Sequence, residues 1–414
     1  MSEPSPAGDG GREQAQRPHC EVADVVRRYG ASFAATHRLS VQQRHVLRAI
    51  VQCRTAALGG HVEQCEDCGD TRIAYNSCRN RHCPKCQGGE RATWFTAQQA
   101  LLLPVPYFHV VFTLPHTLNA LIRVNRRALY ALLFGVASAT LQQFAADPRH
   151  LGAELGITAV LHTWGQTLSE HVHLHCVVTG GGLSRDGMRW IGVPMRHRRR
   201  RFLFPVVALS KLFRGKFCAG LQALRAQGKL RFVGQSAPLS GRVEWARVLH
   251  TLSSSPWVVY AKPPFGGPTV VLKYLSRYTH RIAIANRRLI SVDDGVVRLR
   301  YRDYADHDAT KQLTLPAAEF LRRFLQHVLP PGFKRIRHFG ILASRCRAQK
   351  LGRCRELLGQ VASPANVVAV DDGESVTLMD SEPEAPKRRC PQCGSHRISI
   401  IERLPPLRAG PLPR

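Results

Sequence analysis

The sequence predicts an α+β protein, with a central antiparallel sheet flanked by helices and a small helical, zinc-binding domain before it. Short β-rich runs and helical patterns are mixed without the regular alternation of βαβ units. No glycine-rich phosphate loop follows a predicted strand, so a Rossmann-type fold is disfavoured. We expect a disordered terminus at 1–18, the zinc-binding domain at 19–100, the main α+β domain at 101–355 and a flexible tail at 356–414.

Local patterns place the elements in chain order. Ser40 followed by Gln43 is a capping-box pattern at the start of a helix. The turn Asp293-Asp294-Gly295 between two apolar runs predicts a hairpin. Apolar, β-branched runs predict strands at 107–114, 157–164, 229–233, 256–261, 282–290 and 296–304. Helical spacing of apolar residues predicts helices at 90–103, 118–144, 209–227, 270–279 and 315–329.

The charge balance indicates a polyanionic partner. The 414 residues include 59 Lys and Arg against 29 Asp and Glu, which gives a net charge of +30. Nucleic acid is favoured over a membrane surface, because we find no basic amphipathic helix of membrane type and no apolar run long enough to span a bilayer. The N-terminus has no apolar h-region, so we expect a cytosolic, nucleoid-associated protein that does not bind membranes.

Two cysteine knuckles predict a structural zinc site. The first is Cys65-Glu66-Asp67-Cys68 and the second is Cys83-Pro84-Lys85-Cys86. Four thiolates at this spacing match a closed tetrahedral Zn²⁺ site, which leaves no position for a substrate. We therefore predict one structural zinc held by Cys65, Cys68, Cys83 and Cys86.

Further cysteines and histidines leave alternatives open. Cys78 lies between the knuckles and could replace one of the four ligands. Together with His61 and His82 it could also hold a second ion, which is the weaker interpretation. The late pair Cys390 and Cys393 fits an exposed free pair and half of a zinc site equally well.

One stretch, residues 171–178, organises the rest of the main domain. Side chains on a strand alternate between its two faces, so His171, His173 and His175 are predicted to share one face. The opposite face would then pack on the core through Val172, Leu174 and Cys176. Two imidazoles at adjacent same-face positions can hold one divalent metal ion, although a histidine-rich polar face without metal has the same pattern.

A tyrosine pair supplies the chemistry that such a metal would serve. Tyr274 and Tyr278 are four residues apart and would share one face of a helix. Alone they could be two half-buried aromatic residues, but a tyrosine hydroxyl can also attack a DNA phosphate. A phenol of pKa ~10 is a poor nucleophile at neutral pH, so that attack needs a Lewis acid. Candidate nucleic-acid contacts are Arg198, Arg199, Arg200, Arg201, Lys273 and Arg277.

Taken together, these stretches resemble a known family. The sequence is similar, across residues 20 to 355, to the two-tyrosine HUH rolling-circle transposases of the insertion sequence ninety-one type. The resemblance is carried by residues 80–87, 109–116, 171–183, 212–217, 274–278 and 337–340. This sequence differs from many relatives at Val172, where they have proline. Val172 is predicted to face the core, so the difference should leave the site intact.

The resemblance implies a function and roles for individual residues. It implies an HUH endonuclease that nicks and rejoins single-stranded DNA at element ends and target through 5′-phosphotyrosine intermediates, with Mg²⁺ or Mn²⁺ as catalytic ion. His173 and His175 take the metal-ligand positions, and Tyr274 and Tyr278 take the nucleophile positions. Self-association is left open.

The third metal ligand and the biological role each have alternatives. Gln166, seven residues before His173, is the first choice for the third ligand, with His171 and His162 as alternatives. A plasmid or phage replication initiator or relaxase would use the same chemistry, but the cysteine module favours the transposase. A zinc-containing DNA-binding regulator without enzymatic activity is the other class, and the tyrosine pair argues against it.

Overall fold

A computed structural model describes residues 20–86, 97–193, 203–262, 270, 283–304, 306–359 and 389–407. Several predicted features fall outside these residues. They are the disordered terminus at 1–18, half of the predicted helix at 90–103, most of the predicted helix at 270–279, and the candidate site residues Arg198, Arg199, Arg200, Arg201, Lys273, Tyr274, Arg277 and Tyr278.

The described residues form eight α-helices and twelve strands. The helices are α1 (Val22–Thr36), α2 (Val41–Gln52), α3 (Asn119–Val124), α4 (Arg126–Ala146), α5 (Val206–Ala226), α6 (Arg242–Ser254), α7 (Ala317–Leu325) and α8 (Arg347–Leu357). The strands are β1 (Gly60–Cys65), β2 (Thr71–Tyr75), β3 (Tyr107–Thr113), β4 (Ala153–Trp164), β5 (Glu170–Ser184), β6 (Trp190–Gly192), β7 (Val259–Lys262), β8 (Leu289–Asp293), β9 (Val296–Asp303), β10 (Ala309–Pro316), β11 (Ile336–Gly340) and β12 (Ile398–Leu404).

A six-stranded sheet is the centre of the molecule. Its strand order is β11-β4-β5-β3-β7, and β6 pairs with the end of β5. Every pairing in it is antiparallel, which confirms the predicted α+β class with a central antiparallel sheet. The histidine strand β5 lies between β4 and β3 and is therefore hydrogen-bonded on both edges.

The two faces of β5 differ as the alternation predicts. Val172, Leu174 and Cys176 are buried in the main hydrophobic core together with apolar residues of α4 and α5. Helix α4 has the length and apolar composition of a membrane span, which the sequence analysis did not expect. Half of its apolar window is buried inside the protein, as in the core helix of a globular domain.

A second hydrophobic core joins the N-terminal helices to a later part of the chain. Residues of α1 and α2 share it with the three-stranded sheet β10-β9-β8 and with α7. The predicted capping box is present, since Gln43 N–H donates to Ser40 Oγ and Ser40 N–H donates to Gln43 Oε1. The predicted hairpin is present between β8 and β9, with Asp294 and Gly295 at positive φ.

The C-terminal segment differs from the flexible tail that the sequence predicts. Within residues 389–407, β12 pairs antiparallel with β1, and the small sheet has the order β12-β1-β2. Gly59 marks the close approach of the two segments. Its φ is +67°, and a Cβ there would lie 2.5 Å from the Leu404 carbonyl oxygen. The last described part of the chain thus belongs structurally to the N-terminal zinc-binding region.

Two local predictions are wrong in detail. Residues 229–233 form no strand, because the backbone of Arg231 is bonded by the Asn125 side chain and not by a neighbouring strand. Asn125 also interrupts the predicted helix 118–144, which the structure divides into α3 and α4. Strand β10 escaped prediction because its exposed, polar sequence offers little apolar alternation.

Candidate metal sites

Three histidines converge on one face of the central sheet. His162 on β4 lies directly opposite His173 on β5 in the strand register, and His175 follows two residues later on the same face. The ring centroid of His162 lies 5.3 Å from that of His173 and 4.4 Å from that of His175. One ring nitrogen from each of the three residues lies within 4.8 Å of the other two, the spacing of ligands around one metal ion.

Hydrogen bonds orient two of these rings. His173 Nδ1 lies 2.8 Å from the His171 carbonyl oxygen. A carbonyl can only accept, so Nδ1 carries the proton and Nε2 carries the lone pair. His175 Nδ1 lies 2.9 Å from His109 Nε2 on β3, which leaves Nε2 of His175 as the ring nitrogen for a metal. Neither this role of His109 nor its contact with His175 was predicted from the sequence.

Burial keeps these imidazoles neutral. It lowers the pKa of His173 to about 4 and that of His109 to about 3. Burial also lowers the pKa of His175 well below its usual range, and the neighbouring His162 adds to that shift. Neutral imidazole is the form that binds metals. The donor set, its spacing and its protonation state therefore fit a divalent cation.

The structure brings His162, and not Gln166, to the other two histidines. Gln166 lies in the turn between β4 and β5, where Gly165 N–H donates to the Ser169 carbonyl. Its side-chain Nε2 donates to Tyr304 Oη at 2.9 Å. Strand β4 ends at Trp164 and β5 begins at Glu170, so Gln166 lies beyond the paired residues of the two strands. His171 lies outside the group of three, although its ring centroid is 4.8 Å from that of His173.

Described residues on either side of the segment that carries the two tyrosines can be placed. Lys262, the last residue of β7, lies opposite His109 in the register of β3. The chain is described again from Ala283, which with Ile284 is buried in the same core as Leu168 of the β4–β5 turn. Tyr274 and Tyr278 themselves lie outside the described residues.

The four cysteines predicted to bind one zinc belong to two separate groups. Cys83 and Cys86 join Cys78 and Cys53, and the four sulfurs lie within 4.8 Å of one another. Cys53 Sγ is 3.4 Å from Cys86 Sγ. This first group, Cys53, Cys78, Cys83 and Cys86, is embedded in the second core, which explains its burial.

The second group unites the first knuckle with the late one. Cys65 and Cys68 lie with Cys390 and Cys393, again with all four sulfurs within 4.8 Å. A single site built from Cys65, Cys68, Cys83 and Cys86 is therefore wrong, because the β1–β2 hairpin directs the first knuckle toward the C-terminal segment. The Cys-x-x-Cys spacing identifies each knuckle in the sequence but does not show which knuckle it pairs with. Cys53, which follows α2 directly, belongs to no such pair and was therefore not predicted as a ligand. Among the described residues, His82 belongs to neither cysteine group; its Nε2 accepts a hydrogen bond from Leu329 N–H.

Comparison with known proteins identifies the family. A family model described as a putative transposase matches residues 156–350, and one described as a transposase zinc-binding domain matches residues 25–114. A putative transposase, y4qJ, of Sinorhizobium fredii strain NGR234 is 50% identical over 388 residues, which is 92% of this chain and 95% of the relative.

A second relative extends the match. The transposase for insertion sequence element IS801 of Pseudomonas savastanoi pv. phaseolicola is 32% identical over 323 residues, which is 76% of this chain and 73% of that protein. No solved structure matches the chain. The chain therefore belongs to the transposases of the insertion sequence ninety-one type, which act on DNA, and it has their N-terminal zinc-binding domain.

Proposed function

We propose that this transposase is an HUH-type single-strand DNA endonuclease and strand transferase. It nicks and rejoins single-stranded DNA at element ends and target, and so moves an insertion sequence by a rolling-circle type of mechanism in the bacterial cytosol. One observation carries the proposal, namely the group formed by His162, His173 and His175 on the face of a central antiparallel sheet.

These three histidines would hold the catalytic ion, Mn²⁺ or Mg²⁺. When bound, such an ion polarises the scissile phosphate and stabilises the charge that develops on it. Three imidazole nitrogens suit Mn²⁺ better than Mg²⁺, because Mg²⁺ strongly prefers oxygen ligands. The replacement of the expected Gln166 oxygen by a His162 nitrogen thus shifts the expected preference toward Mn²⁺.

The nucleophile in this proposal is Tyr274 or Tyr278. The phenol oxygen forms a bond to phosphorus, and the bond between phosphorus and the 3′ oxygen breaks. The phenol loses one proton and the departing 3′ hydroxyl gains one, so the step is balanced. The ester retains the energy of the phosphodiester bond, and rejoining therefore requires no ATP. Two tyrosines allow one strand end to be held while the second cleavage occurs.

Basic residues would hold the strand. The net charge of +30 predicts DNA binding that weakens steeply with salt, through counterion release. The arginine run 198–201, with Lys273 and Arg277, remains the proposed set of phosphate contacts. Neutralising the run should weaken binding to all sequences about equally, since phosphates carry no sequence information.

The test is a denaturing gel of the full-length protein incubated with labelled single-stranded element-end DNA. We expect a covalent protein–DNA band that requires Mn²⁺ or Mg²⁺ and disappears with EDTA. His175→Ala should abolish the band, while His250→Ala, a change at an exposed histidine on α6, should leave it intact. A band of full intensity from His175→Ala would refute the metal site.

A further inference from the structure

We propose that Cys65, Cys68, Cys390 and Cys393 form a second structural zinc site, which fastens the C-terminal segment to the N-terminal region. This site is separate from the first group of four cysteines and takes no part in the proposed cleavage. It is composed of two Cys-x-x-Cys-Gly knuckles. Cys68, the last cysteine of the first knuckle, and Cys390, the first cysteine of the second, are 322 residues apart in the sequence.

The two knuckles have the same backbone structure. Gly69 N–H donates to the Cys65 carbonyl at 2.9 Å, and Gly394 N–H donates to the Cys390 carbonyl at 2.9 Å. Both glycines are in the left-handed region, with φ of 74° and 77°. Such a turn directs its two cysteine sulfurs to one point, and glycine is the residue that adopts it without strain.

A further pair of hydrogen bonds extends this equivalence. Cys65 N–H donates to the Asp70 carbonyl, and Cys390 N–H donates to the Ser395 carbonyl five residues on. Two unrelated surface turns would have no reason to share this pattern. A tetrahedral S₄ site composed of two facing knuckles accounts for it.

The sulfurs face one another across the interface. Cys65 Sγ lies 3.5 Å from Cys393 Sγ, and Cys68 Sγ lies 3.7 Å from Cys390 Sγ. In each knuckle the first cysteine is buried and the second is exposed.

Beyond its backbone pairing with β1, the C-terminal strand buries little side-chain surface. No residue of β12 is buried, and Ile400 and Ile401 are more than half exposed. Arg397 forms ion pairs with Glu66 and Asp67, but all three side chains are solvent-exposed and such pairs contribute little. A small three-stranded sheet without an apolar core is marginal in water, so a metal ligated by both segments would supply the missing stability.

Elemental analysis of the purified full-length protein tests the site. We expect two zinc ions per chain in the wild type and one in Cys390→Ser/Cys393→Ser. The matched control is Cys218→Ser/Cys346→Ser, which removes two half-buried cysteines outside both groups and should leave two ions. Two ions in the Cys390→Ser/Cys393→Ser variant, or one in the wild type, would overturn the proposal.

A conservative rescue separates metal binding from misfolding. Cys393→His keeps a zinc ligand at the exposed position and should retain two ions, whereas Cys393→Ser should lose one. Two ions retained in Cys393→Ser would show that this residue is not a zinc ligand.

Proteolysis tests whether the zinc site holds the C-terminal segment to the rest of the protein. A specific protease sequence inserted between Gly359 and Arg389 would divide the protein after purification. The C-terminal piece should co-elute with the larger piece on gel filtration and separate when a chelator removes zinc. Co-elution that persists in chelator, with zinc gone, would show that another interaction holds the segment.

Discussion

His162 lies directly across the β4–β5 ladder from His173, with the two ring centroids 5.3 Å apart. This relationship depends on strand register, because a shift by one residue would send His162 to the opposite face and into the main core. The register also places His175 beside Val111 of β3, next to His109 on the same face. The group of His162, His173 and His175 thus comes from two neighbouring strands and not from one sequence motif.

The first prediction separates His162 from Gln166 as third ligand. His162→Ala should lower Mn²⁺ affinity and reduce adduct formation by at least the 10-fold that is typical of weakened metal sites. Gln166→Ala should leave metal affinity unchanged, because the Gln166 side chain contacts Tyr304. Isothermal titration with Mn²⁺ and the adduct gel check both variants. The reverse pattern, with Gln166→Ala impaired and His162→Ala intact, would contradict the assignment.

The second prediction concerns His109 as a positioning residue. His109→Ala removes the partner of His175 Nδ1 and should weaken Mn²⁺ binding by ~10–100-fold. His109→Gln can still bond that nitrogen and should recover most of the affinity. Saturating Mn²⁺ should restore adduct formation in His109→Ala, whereas it should not in His175→Ala. If added Mn²⁺ fails to restore it, His109 has another role.

The third prediction concerns the first cysteine group. Cys83→Ser should release one zinc ion and lower the melting temperature strongly, because Cys83 is buried in the core that α1 and α2 share with α7. Circular dichroism melting and zinc analysis provide the measurements, with Cys218→Ser as control. The effect should exceed that of Cys68→Ser, since Cys68 is exposed. Unchanged zinc content in Cys83→Ser would contradict the assignment of Cys83 as a ligand.

The fourth prediction is a pH dependence of stability. His327 is buried between Thr163 Oγ1 and the Leu168 carbonyl, and burial lowers its pKa from 6.5 to about 3. Between these values the unfolded chain binds a proton that the folded chain does not. Above pH 6.5 the His327 ring is neutral in both states and does not lower the free energy of unfolding. As the pH falls below that value, the free energy of unfolding decreases by up to about 1.4 kcal/mol per pH unit.

Denaturant unfolding at a series of pH values checks this effect. His327→Gln cannot titrate, so its unfolding free energy should fall less steeply below pH 6.5 than that of the wild type. Parallel curves for the two proteins would show that His327 does not carry the dependence.

Local chemistry made much of this structure predictable. Alternation along β5 separated His173 and His175 from Leu174 and Cys176, and the structure has the same division. Turn residues gave the β8–β9 hairpin, and side-chain chemistry gave the cap at Ser40. In each case the deciding interaction lies within a few residues of the signal.

What escaped prediction depends on distant parts of the chain. Which knuckle pairs with which is decided by the course of the whole chain, so Cys65 could not be assigned to Cys390 from spacing. The choice of His162 over Gln166 depends on where β4 ends, because the strand stops at Trp164 and leaves Gln166 in the turn before β5. The sharing of one core by α1 and α7, almost 300 residues apart, is equally invisible.

The central claim is that a tyrosine attacks the DNA phosphate and keeps the 5′ end. The most direct measurement uses single-stranded element-end DNA labelled separately at its 5′ and 3′ ends, incubated with wild type and with Tyr274→Phe/Tyr278→Phe in Mn²⁺. The wild type should become covalently attached to the 3′-labelled fragment and release the 5′-labelled fragment with a free 3′ hydroxyl. The double variant should bind the DNA and form no covalent product. A covalent product from the double variant, or attachment of the 5′-labelled fragment, would contradict the account.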